Sequence, residues 1–111
     1  MNYKVKENFS SSGTSLQGEL TASYEDLVDC FGEPQYTETS GDGKVDVEWN
    51  LKITEPDFNE EQDVTIYNWK DYDGGLECKT NPRYEWHIGG RNVLASVYLK
   101  EAFNERLWEV A

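Results

Sequence analysis

The sequence predicts an α+β fold: a two-layer sandwich in which a twisted antiparallel sheet of about four strands carries two helices on one face. Three observations lead there. From Val45 to Ile53, apolar and polar residues alternate over nine positions, the period of a half-buried strand. From Ser23 to Gly32 the apolar residues recur instead at i, i+3, i+4 and i+7, with start and stop residues at the two ends. From Asn92 onward a second helical pattern fills the C-terminal stretch. With the weaker strand patterns between them, the order reads β-α-β-β-β-α, and covering one sheet face with both helices is the simplest way to bury it.

Taken in order, residues 1–13 are polar and form a flexible arm or an edge strand, with Tyr3 and Val5 alternating with Lys4 and Lys6; residues 14–111 form a single domain. Leu16, Gly18, Leu20 and Ala22 alternate with Gln17, Glu19 and Thr21, which predicts a strand with a glycine where another group approaches closely. Ser23 then caps a helix whose stripe is Tyr24, Leu27, Val28 and Phe31; Asp26 lies near its positive end, Gly32 ends it, and Pro34 blocks resumption. Cys30 lies beside that stripe, as a small residue at the edge of the core.

The alternation at 45–53 places Val45, Val47, Trp49, Leu51 and Ile53 on one face and Asp46, Glu48, Asn50 and Lys52 on the other. This is expected to be the central strand. An acidic loop over 55–63 follows, then a strand from Val64 to Trp69 and a turn-rich stretch over 71–82. Tyr84, Trp86 and Ile88 share one side of a last strand, which Gly89-Gly90 breaks. The final helix, capped by Asn92, shows an apolar face of Ala95, Tyr98, Leu99, Ala102, Phe103 and Leu107.

The chain has 111 residues, with 22 acidic against 10 basic side chains and a net charge of −12. That excess argues against direct nucleic-acid binding, whose footprint is a basic face, and against an anionic membrane. Cys30 and Cys78 form no metal-type or redox-type pair, and no apolar run resembles a signal peptide or a membrane span. A cytoplasmic protein with reduced thiols is expected. Catalytic signatures are missing: no phosphate-binding glycine loop, no Gly-x-Ser-x-Gly, no zinc-type Cys/His spacing. The expectation is a protein that is not an enzyme and carries no cofactor or metal. Glu48, Tyr67, Glu85 and His87 would share the sheet face away from the helices; such a cluster could hold a metal or move protons. An outward polar face with a His–Glu contact is the preferred account.

The charge layout is more specific than the net charge. Between Glu7 and Gly43 there are eight acids and no Lys or Arg, and residues 55–63 add five acids in nine positions. Carboxylates displayed on a compact scaffold can occupy a basic cleft suited to phosphates, by the same screened attraction that draws basic proteins to nucleic acids. A solvated face kept soluble by charge is the plain alternative.

Several segments carry a resemblance: Ser15-Leu16-Gln17-Gly18, Ser23-Tyr24-Glu25-Asp26-Leu27-Val28 with Phe31-Gly32-Glu33-Pro34, Val47-Glu48-Trp49, Thr65-Ile66-Tyr67-Asn68-Trp69-Lys70 and Trp86-His87-Ile88-Gly89-Gly90. Together they resemble a group of small, mostly uncharacterised accessory proteins of tailed bacteriophages. The resemblance spans most of residues 14–103 and transfers no functional residue. It implies a host-cell cytoplasmic setting during infection. Small acidic phage proteins often inhibit host nucleases or defence systems, which favours an inhibitor by analogy.

Two functions are therefore expected from the sequence. One is a non-enzymatic binding protein that blocks a basic surface on a host nuclease, defence effector or other nucleic-acid-binding protein, as a nucleic-acid mimic. Its contact residues would be Glu55, Asp57, Glu60, Glu61 and Asp63 with Phe58 as apolar anchor, then Glu25, Asp26 and Asp29. The other is a binder that sequesters a nucleotide signal. Tyr67, Trp69 and His87 would stack on the base, while Gly89, Gly90, Arg91 and the next helix's start hold a phosphate.

Overall fold

The alternation beginning at Val45 does bury Val47, Trp49, Leu51 and Ile53, and the sheet grows from there. The computed structural model describes residues 2–8 and 13–110. In chain order the elements are β1 (Lys4–Glu7), β2 (Ser15–Ala22), α1 (Tyr24–Phe31), β3 (Glu48–Thr54), β4 (Glu61–Tyr67), α2 (Leu76–Thr80), β5 (Tyr84–Gly90) and α3 (Leu94–Val110). The class is α+β, with five antiparallel strands instead of about four and three helices instead of two among the described residues. All pack into one apolar cluster on a single sheet face. Of the segment 1–13, residues 4–7 form an edge strand, while positions 9–12 lie outside the described residues.

The spatial order is β1-β3-β4-β5-β2. β4, not β3, is therefore the middle strand, because β1 returns along β3 and takes the edge beyond it. β3 also starts later than its apolar pattern. β4 stops at Tyr67, and the next residue, Asn68, turns its side-chain carbonyl onto the amides of Asp46 and Val47 at 2.7 and 3.0 Å. A side chain replaces the ladder there, so Asp46 is buried rather than outward, and Val45 is only half-buried. Asn50, also expected outward, is buried too.

α1 follows its capping residues closely. The Ser23 hydroxyl accepts the Asp26 amide at 3.0 Å, and Gly32 takes φ 81°, a conformation favourable only to glycine. Leu27 and Cys30 form its buried face, so Cys30 is a core residue rather than an edge one. α3 buries Ala95, Tyr98, Leu99, Ala102 and Phe103 as its spacing demands.

Three departures have local causes. β2 slips register between Leu16 and Gly18. That bulge turns Leu16 to the face opposite Gly18, Leu20 and Ala22, where it is 54% exposed. β5 runs through Gly89 and Gly90 instead of breaking there. A Cβ on Gly89 would lie 2.2 Å from Thr65 Oγ1, and one on Gly90 would lie 2.2 Å from Ala95 Cβ, so these glycines admit close neighbours on both faces. Within the turn-rich stretch, the Asp73 carboxylate gathers the amides of Gly75, Leu76 and Glu77 at 2.9–3.2 Å and so starts α2.

Candidate functional site

The acidic segment 55–63 divides by role. Glu55 is buried, and its carboxylate accepts the amides of Asp57 and Phe58 inside its own loop. Asn59 adopts φ 57°, so the turn is tight and internally held. Glu60 accepts the Tyr98 hydroxyl of α3 at 3.0 Å. Glu61 and Asp63 belong to β4 rather than to the loop, because the ladder with β3 extends to Glu61–Thr54. Asp63 is a structural hub: Arg91 Nε lies 3.0 Å from one oxygen, and Asn8 Nδ2 and Lys52 Nζ lie 3.0 and 3.7 Å from the other. Asp57, Phe58, Glu60 and Glu61 are exposed, Glu60 while holding the Tyr98 hydroxyl. Phe58 is 83% exposed.

A contribution from α3 was not visible in the sequence. The Tyr3 hydroxyl donates to Glu101, and the Tyr3 amide to Glu105. Burial, the bond to Glu101 and the Glu55 charge together push the Tyr3 hydroxyl well above its ordinary value. Tyr98, also raised by burial, feels Glu60, Glu55 and Glu101. Two tyrosines thus gather carboxylates from two segments, the 55–60 loop and α3, into one acidic end. Glu101 and Glu105 could not be assigned there from sequence, because only the return of β1 beside β3 brings Tyr3 over α3. The α1 acids form a separate patch. Glu25 and Asp29 are exposed beside a cleft of about 260 Å³ with Tyr24, Val28 and Glu33, while Asp26 is half-buried in the first helical turn.

The open sheet face, away from the helices, holds the second candidate. Tyr67, Trp69 and His87 do come together. Trp69 stacks on His87 at 27° and 6.3 Å, and Tyr67 meets both edge-on. Trp69 lies beyond the end of β4, against expectation, yet still reaches the cluster because buried Asn68 anchors the turn. Glu48 lies directly opposite Tyr67, and Glu19 opposite His87. The neighbouring Glu19 carboxylate raises the Glu85 carboxyl above the usual range, and the electrostatic pull of His87 offsets this only in part. Burial does the same to Glu48, only partly offset by the bond from Asn50 Nδ2 at 3.0 Å.

A carboxyl with a higher pKa folded than unfolded holds its proton more tightly in the native state. Its contribution to stability therefore falls as pH rises through that interval. Glu48→Gln is thus expected to melt at or above the wild-type temperature at pH 7, with the difference gone at pH 3, where both states carry a protonated Glu48. A clear loss at pH 7, measured by circular dichroism, would mean that the Glu48 charge holds the fold.

The phosphate cradle expected at Gly89, Gly90 and Arg91 is not assembled. Both glycines are buried within β5, and Arg91 is engaged by Asp63. Cys30 and Cys78 are free thiols, which burial pushes up to about 11 and about 12, away from nucleophilic use. Among the described residues, no group of three or more His, Cys, Asp or Glu side chains is placed to hold a metal, and no helix is long and apolar enough to cross a membrane. Fold and surface thus describe a small α+β protein with an acidic end and an aromatic sheet face. Comparison with protein-family models, curated proteins and solved structures finds no match to this chain.

Proposed function

We propose that this chain is a non-enzymatic binding protein that occupies a basic surface on another protein through the acidic end at residues 57–61. In the phage setting that the sequence resembles, the partner is a host nuclease, defence effector or other nucleic-acid-handling protein, and the carboxylates stand in for phosphates. The observation that carries this reading is the presentation of Phe58. A large apolar side chain is held out in solvent on a loop whose own Glu55 carboxylate ties down the Asp57 and Phe58 amides. A loop ordered in advance loses little freedom on binding, and an exposed aromatic surrounded by charge combines a buried anchor with long-range steering.

The test is the variant Asp57→Asn, Glu60→Gln, Glu61→Gln. It spares Glu55 and Asp63, which the fold uses, and glutamine at position 60 can still accept the Tyr98 hydroxyl. A partner captured from a bacterial lysate at low salt should associate with it roughly 10-fold or more slowly than with wild type, with a shallower dependence on ionic strength. Phe58→Ala should instead speed dissociation, at a cost of about 2 kcal/mol in affinity. Unchanged association and salt slope would remove the loop from the interface and leave the α1 acids as the remaining acidic candidate.

A further inference from the structure

Strand register lines five side chains across the open sheet face. Tyr36 bridges to Glu48, Glu48 pairs with Tyr67, Tyr67 with His87, and His87 with Glu19. Three rings and two carboxylates therefore share one row, with Trp69 stacked on His87 and 38% exposed. At the Tyr36 end a cavity of about 320 Å³ opens, its walls including Tyr36, Glu38, Asp46 and Glu48. Asn50, on the same face as Glu48 and bonded to it, is 1% exposed, and its Oδ1 is buried without a hydrogen-bond partner. A buried acceptor left unpaired is costly, so a donor arriving there gains more than at an exposed site.

The row offers acceptors and π faces, and the cations beside it belong to lysines drawn to the same ring. Lys44 and Lys70 lie 5.7 and 5.6 Å from the Trp69 ring centroid. A group suited to this surface must be cationic, planar enough to stack, and rich in donors. Among side chains only the guanidinium meets all three conditions; an ammonium supplies charge without the plane or the fork.

We propose that the Tyr36–Glu48–Tyr67–His87 row with Trp69 is a binding site for an arginine side chain presented by a protein partner. The guanidinium stacks on the ring cluster, while Glu48 and the Asn50 carbonyl accept its N–H groups. This site is distinct from the acidic loop and shares with that reading only the basic character of the partner.

The test is an NMR titration of the full chain with N-acetyl-argininamide, N-acetyl-lysinamide and adenosine monophosphate in parallel. The arginine probe should shift the Trp69 indole, His87 and Tyr67 signals saturably, and the lysine probe should bind roughly fivefold or more weakly. Glu48→Gln should weaken the arginine probe about 10-fold, the scale of a lost charge-assisted hydrogen bond, and Trp69→Leu should weaken it while leaving the melt unchanged. No saturable shift with the arginine probe, an equal response to lysine, or indifference to Glu48→Gln would overturn the proposal. A response to adenosine monophosphate alone would overturn it in favour of a nucleotide site. The Asp57/Glu60/Glu61 variant must keep the arginine response, so failure of the loop and failure of this site are read separately.

Discussion

Trp49→Ala is expected to leave a chain with no cooperative thermal transition. Trp49 is fully buried and joins three elements. From β3 it meets Trp86 of β5 edge-on at 5.4 Å and Tyr24 of α1 at 5.7 Å. Its indole N–H donates at 2.8 Å to the carbonyl of Gly32, the residue that ends α1. Truncation removes the packing of both rings and frees that helix terminus. Emptying such a site costs about 3–5 kcal/mol, against a total of about 5–15 for a domain of this size. Trp49→Phe retains most of the volume but loses the donor, so a loss of about 1–2 kcal/mol is expected. Denaturant unfolding followed by far-UV circular dichroism measures both. A cooperative Trp49→Ala transition within a few degrees of wild type would show that helix and sheet are held together elsewhere.

Asn68→Ala is expected to come second. No part of Asn68 is exposed, and each atom of its amide is used. The carbonyl accepts the amides of Asp46 and Val47, while Nδ2 donates to Asp46 Oδ2 at 2.9 Å and Asp71 Oδ2 at 3.1 Å. Alanine would strand two backbone donors and deprive the buried Asp46 carboxylate of a partner, leaving it the Thr39 hydroxyl at 2.8 Å. At about 1–3 kcal/mol for each stranded group, the sum approaches that of the tryptophan. Asn68→Asp preserves shape but replaces the donor with charge facing Asp46 and Asp71, so it should be no better. Hydrogen exchange at the Asp46 and Val47 amides gives the local readout. Protection unchanged in Asn68→Ala would mean that these amides have another acceptor.

The same residues explain what was legible beforehand. The caps at Ser23 and Gly32, the apolar stripe of α3 and the buried side of β5 are local matters, settled by spacing of three to four or of two residues. Asn68 had no such signature. It reads as one polar residue in an aromatic stretch, and only the end of β4 beside residues 46–47 gives its amide four partners. Likewise, nothing near Glu55 or Asp63 in the sequence distinguishes a carboxylate folded onto its own loop or onto Arg91 from one offered to a partner. The open-face cluster was half legible. Tyr67 and His87 followed from alternation, but Tyr36 and Glu19 joined the row only through pairings across the sheet.

By itself the sequence determined the α+β class, the two long-patterned helices, the inward sides of β3 and β5, and the excess of negative charge. Each depends on residues close in the chain or on composition. Tertiary structure alone decided that β4 is central, that Leu16 turns outward and that β5 continues through its glycines. It also decided which acids remain free and that a ring-and-carboxylate row crosses the open face. These depend on strand register and on contacts between distant segments, where a one-residue slip exchanges the two faces of a strand without changing the pattern along it.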